Sequence, residues 1–129
     1  MASELRVNTL KDASGSNSVA LSTVAEGSAK AWCHINTTTF AIFDSFNNSS
    51  ATDVGEGLAT FNLTSAMNND DFAYAVSRNG STNTSNRFNV EQTAQTTSSI
   101  SISTKFGNTS GFSLGDAGSV CSVLHGDLA

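Results

Sequence analysis

The chain has 129 residues, of which 38% are hydrophobic and 13% charged, with a formal net charge of −5. That length supports one domain with its own core, and eight Phe beside so little charge argue against a disordered chain. The six basic residues (Arg6, Lys11, Lys30, Arg78, Arg87 and Lys105) stand singly, so the clustered cations that displace counterions from a nucleic-acid backbone are missing and no nucleic-acid partner is expected.

The elements are expected to be strands. Sustained i, i+3, i+4 apolar spacing is absent, and Thr, Ser, Asn and Gly saturate the chain, which resists helix interiors. Residues 1–30 read as an extended arm. Leu5, Val7 and Thr9 alternate as a short strand, residues 11–18 form a turn, and Val19 and Leu21 open another strand. Residues 20–30 are small and polar, so this arm is either mobile or docked on a neighbour. Leu5, Val7, Leu10, Val19 and Leu21 are its candidate assembly contacts.

Residues 31–129 read as the main domain. Around Trp32 the alternation puts Cys33 and Ile35 on one face and Trp32 and His34 on the other. A second burst runs from Thr38 to Phe46. A polar strand is expected over 45–52, a tight turn at 54–57 and a returning strand over 58–63 with Ala59, Phe61 and Leu63 on one face. One helical turn is expected over 65–71, then a strand over 72–76 and an Asn79-Gly80 turn. Residues 81–86 form a polar tip, Phe88 and Val90 begin another strand, and Ser99 to Phe106 alternates plainly. A glycine-rich connection through Gly107, Gly111 and Gly115 leads to a last strand over 120–124. Short strands divided by turn residues predict an all-β, antiparallel sandwich or jelly-roll-like domain. Its apolar share is low for its size, so it is expected to share a core with copies of itself.

Three segments carry a family resemblance: Gly27-Ser28-Ala29-Lys30-Ala31-Trp32, Phe43-Asp44-Ser45-Phe46-Asn47, and Phe61-Asn62-Leu63-Thr64-Ser65-Ala66-Met67. With the opening stretch from Leu5 to Gly15, they resemble short tail-fibre and virion structural proteins of marine bacteriophages, cyanophages included. The likeness covers residues 1 to about 76 and continues afterwards only in texture; Cys33-His34-Ile35-Asn36 and Phe43 depart from the pattern. The resemblance implies a homotrimeric β-structure on a virion head or tail, attached by its arm to other virion proteins and meeting the host surface at its far end. A capsid decoration protein is the alternative, and a surface-polysaccharide hydrolase a third.

The residues themselves offer little chemistry, and no enzyme is expected. Asp70 and Asp71 are adjacent carboxylates beside Asn68 and Asn69, which suits a turn better than a glycosidase pair or a calcium loop. Cys33 and His34 point to opposite faces of one strand. Two cysteines are too few for a disulfide framework and lack zinc-site spacing, so neither metal nor cofactor is expected. Asn-x-Ser/Thr triplets arise from composition. No apolar leader and no run near the ~20 apolar residues of a membrane span are present, so synthesis in the host cytoplasm without membrane insertion is expected. Receptor contact, if the polar tip makes it, falls to Arg78, Asn79, Asn83, Asn86 and Arg87, whose amides and guanidinium groups suit a host-surface glycan.

Overall fold

The computed structural model describes residues 6–78, 87–108 and 111–129. In chain order its elements are β1 (Thr9–Lys11), β2 (Ser18–Ala20), α1 (Leu21–Gly27), β3 (Ala31–Asn36), β4 (Ile42–Phe46), β5 (Asn48–Gly55), β6 (Leu58–Leu63), β7 (Ala73–Arg78), β8 (Arg87–Thr96), β9 (Ser99–Asn108), β10 (Gly111–Leu114) and β11 (Ser119–His125).

The first elements form a small module. β1 and β2 pair antiparallel with Leu10 opposite Val19. Their turn is built by Asp12, whose carboxylate accepts from Ser14 Oγ at 2.8 Å, Ser16 N at 3.1 Å and Asn17 Nδ2 at 2.7 Å. Those donors hold the Asp12 carboxyl below the usual carboxylate range. The turn expected over 11–18 is therefore present. β1 starts at Thr9, leaving Val7 ahead of it, and Leu5 lies outside the described residues. Leu21 opens a helix and not the expected strand. Leu21 and Val24 fall one turn apart there, and Ser28 N closes the helix onto Val24 O at 3.1 Å. At seven residues, with no side-chain cap and nothing buried, α1 is a marginal helix.

The remainder is an antiparallel β-sandwich. One sheet has the order β4-β3-β11-β7. In the other, β9 is flanked along one side by β8 and along the other by β6 and then β10, with β5 beyond β6. Alternation explains the core. Ala31, Cys33 and Ile35 of β3, with Val120 and Leu124 of β11, face Ala59, Phe61 and Leu63 of β6 and Ile100 and Ile102 of β9. Fully burying a side chain such as Phe61 stabilises the fold by about 1.5–3 kcal/mol. The expected hairpin at 54–57 is the β5–β6 connection, with Glu56 and Gly57 between the strands.

Several boundaries differ from expectation. The strand expected over 45–52 is divided at Asn47, a non-glycine residue at φ 55, where the chain leaves one sheet for the other. No helix forms over 65–71. Asn69 Oδ1 instead accepts from Asp71 N at 3.0 Å, and Met67 bridges to Leu128. Met67 and Phe72 are both buried there, closing one end of the core. The glycine-rich connection contains β10. β8 extends to Thr96, further than Phe88 and Val90 suggest, because pairing with β9 carries its polar residues into the sheet.

A tight backbone junction closes the other end. Gly57 O accepts from Thr104 N at 2.7 Å, and Gly115 N donates to Thr104 O at 3.1 Å. Gly57 N donates to Asp116 Oδ1 at 2.9 Å, and the buried Thr104 hydroxyl donates to Gly115 O at 2.6 Å. Gly57 sits at φ 69, where a Cβ would lie 2.5 Å from Gly115 N and 2.6 Å from Thr104 O.

Candidate functional site

The segments Gly27–Trp32, Phe43–Asn47 and Phe61–Met67 meet in space at Asn47. Its amide donates to Lys30 O at 3.0 Å and Ser65 O at 3.1 Å, and its Oδ1 accepts from Ser65 N at 2.7 Å. Its own carbonyl accepts from Thr64 N at 3.1 Å, and the adjacent Asn48 amide reaches Trp32 O at 2.9 Å. These contacts satisfy irregular backbone at a chain crossing. The segments are therefore joined through a structural node at Asn47.

One surface open to a partner is the module at residues 6–28. Leu10, Val19 and Leu21 are exposed, as is Val24 of α1, which the sequence reading overlooked because it treats residues 20–30 as featureless. Val7 is half-buried. Leu10 and Val19 also line a shallow hollow with Lys11, Asp12, Asn17 and Ser18. These apolar groups are few, but they cluster on a segment with almost no interior of its own.

The second surface is the outward face of the β4-β3-β11-β7 sheet. Register places Phe46, Trp32, Val123 and Ala75 in one row across the four strands. Phe46 is 50% exposed, and Phe43, beside the bulge in β4, is 58% exposed. The next row holds Asp44, His34, Cys121 and Ser77. His34 packs against the Phe43 ring at a centroid distance of 4.8 Å. Its Nε2 is shielded and without a hydrogen-bond partner among the described residues, which costs desolvation energy.

The Cys–His–Asp row invites a comparison with nucleophilic sites. Desolvation raises the Cys121 thiol above its ordinary value, so it remains protonated near neutrality. Burial first, then the nearby Cys121, pushes Cys33 up to about 11. Both cysteines are free thiols, and Cys33 is the small buried residue that its alternation predicts. No cluster of three or more His, Cys, Asp or Glu residues placed to hold a metal occurs among the described residues.

The outward face of the other sheet is mixed: Val54, Phe112 and Leu114 are exposed on it, beside polar side chains that bond to one another. Thr60 and Ser101 hydroxyls lie 2.8 Å apart, and the Asn62 amide donates to Ser50 Oγ at 3.0 Å and Thr52 Oγ1 at 2.9 Å. Lys105 pairs with Glu91, which also accepts from Ser103 Oγ at 3.2 Å. Lys105 and then Ser103 hold the Glu91 carboxyl below its usual range.

Of the candidate receptor residues, Asn79, Asn83 and Asn86 lie outside the described residues, and Arg87 is described only as backbone in β8. Arg78 ends β7; its Nε donates to Ala117 O at 3.3 Å and its guanidinium lies 5.9 Å from the Phe106 ring centre. Asp70 and Asp71 are exposed. Asp71 lines a cleft of about 200 Å³ with Glu26, Asn69, Phe72, Gly126 and Asp127. The Asn69 side chain, not either carboxylate, caps this turn.

The fold and these surfaces define an antiparallel β-sandwich preceded by a small hairpin–helix module. No known protein family, curated protein or solved structure matches the chain.

Proposed function

We propose that the chain is a structural subunit of a bacteriophage particle, a tail-fibre or appendage component attached through residues 1–30 and contributing to adhesion at the host surface. The observation that carries this reading is the uncovered apolar character of the N-terminal module, where Leu10, Val19, Leu21 and Val24 are all exposed. A segment that buries nothing of its own helix is suited to being held by another protein. Threefold self-association is part of the proposal: the exposed Phe43 and Phe46 give neighbouring copies apolar surface to bury. The resemblance of Gly27–Trp32, Phe43–Asn47 and Phe61–Met67 to virion proteins supports the same reading.

The test is incorporation into particles. The full chain is expected in purified virions by mass spectrometry. A chain lacking residues 1–26 is expected to fold, by circular dichroism and cooperative unfolding, yet to be missing from particles assembled with it. Recovery of that shortened chain on virions, or absence of the full chain from them, would overturn the proposal.

A further inference from the structure

Residues 6–28 differ from the sandwich in what holds them. All of them are exposed except the half-buried Val7. β1 and β2 have three residues each and pair only with each other. A two-stranded hairpin is marginal in water unless further strands or a helix bury its apolar side. Leu10 and Val19, opposite one another across this pair, stay exposed. α1 has seven residues, fewer than the roughly 12–15 that an isolated helix needs to persist. It buries nothing, so packing does not make up the difference.

What the module does possess is local and open to water. Asp12 gathers its turn through Ser14, Ser16 and Asn17, and Leu21 N donates to Asn8 O at 2.9 Å. Lys30 Nζ caps the end of α1 at Ala25 O and Ser28 Oγ. Exposed bonds with few buried apolar contacts mark the parts of a protein that open first. The sandwich does not supply the missing cover. The chain joins it at Lys30, whose N donates to Leu124 O at 2.8 Å. Where α1 approaches the sandwich, Glu26 lines the same cleft as Asp71 and Asp127, so the carboxylates that meet there are alike in charge.

We infer that residues 6–28 fold on docking: in the free chain they exchange rapidly between open conformations and the hairpin–helix, and they adopt the hairpin–helix against a partner. That partner is a protein with an apolar surface, since Leu10, Val19, Leu21 and Val24 are the side chains that gain by leaving water. The Asp12 turn and the Lys30 cap select the docked shape, and the cost of ordering falls at the moment of attachment. The partner is taken from the attachment reading above; the open state of the free chain stands without it.

Hydrogen exchange of the free full chain reads the open state. The amides of Asp12, Leu21 and Ser28 should exchange within about tenfold of unfolded rates, while those of Met67 and Thr104 in the sandwich should be slowed roughly a thousandfold or more. In purified virions the amides of residues 6–28 should become protected. Ala25→Pro, which a helix interior does not accommodate, should leave the urea midpoint of the free chain unchanged and lower incorporation into virions at least about tenfold. Ser22→Ala, which keeps the helix, should incorporate as the native chain does. Slow exchange of residues 6–28 in the free chain, or a lowered midpoint or native incorporation for Ala25→Pro, would overturn the inference and leave the attachment reading standing. A native chain missing from virions would overturn the attachment reading, and the docked state with it, whatever the free chain shows.

Discussion

Replacing Gly57 with Ala should unlock the end of the sandwich where β6 begins. The added Cβ would approach Gly115 N to 2.5 Å and Thr104 O to 2.6 Å, both backbone atoms of paired segments with no flexible end to move. Left-handed backbone at φ 69 adds roughly 1–2 kcal/mol for an L-residue. Displacing the junction also lengthens the bonds from Thr104 N to Gly57 O, Gly57 N to Asp116 Oδ1 and Gly115 N to Thr104 O, each contributing about 1 kcal/mol net. The combined loss is about 3–5 kcal/mol, a large part of the ~5–15 kcal/mol that stabilises a typical domain. At about 4 °C per kcal/mol for this length, the midpoint of thermal unfolding should fall by about 12–20 °C. Gly118→Ala is the matched control: its φ is 79, but nothing lies within 4 Å of the added Cβ. It should lose only the backbone contribution, about 1–2 kcal/mol. If the two variants unfold within about 1 kcal/mol of each other in urea, close backbone approach at Gly57 is not what closes this end.

Asn47→Ala should destabilise the fold by about 2–4 kcal/mol, since it removes the side-chain bonds to Lys30 and Ser65 and leaves a left-handed residue without the amide that favours it; a urea midpoint close to the native one would contradict a structural role for the node. The Cys33 thiol, held at about 11 by burial in the folded chain, should titrate near 8.5 when unfolded. The folded state then keeps a proton that the unfolded state releases, so stability is intact below about pH 8.5 and falls as pH rises toward 11. Cys33→Ala should flatten that alkaline decline, and alkylation of native Cys33 at pH 8 should be much slower than in urea; equal rates would refute its burial.

The period-two pattern made the central strands legible. At Ala59, Phe61 and Leu63, and again at Ile100 and Ile102, alternation predicts the face and the structure buries it. The faces of Cys33 and Trp32 were legible for the same reason. The helix at Leu21 was not, because a seven-residue segment with only Leu21 and Val24 on one side offers too short a period to distinguish from a strand. The bend at residues 65–71 was misread because its backbone donors find distant partners, Met67 N at Thr97 O and Asn68 N at Asp127 O, which no local pattern records. Asn47 carried no signal by itself: its role depends on Lys30 and Ser65, 17 and 18 residues away. The row of Asp44, His34 and Cys121 was likewise hidden, since it exists only through strand register.

The two outward faces of the sandwich differ in how their polar groups are satisfied, and both leave apolar side chains exposed. On the sheet that contains β6 and β9, Thr60 is matched by Ser101, Asn62 by Ser50 and Thr52, and Glu91 by Lys105 and Ser103. A polar ligand there would have to replace bonds already made, so its net gain would be small. On the sheet that contains β3 and β11, Phe43 and Phe46 are at least half exposed and gain by leaving water. On the other sheet Val54, Phe112 and Leu114 are exposed to a similar degree. Apolar surface is therefore open to a partner on both sheets, and only the bonded polar patch of the second gains little from a new contact.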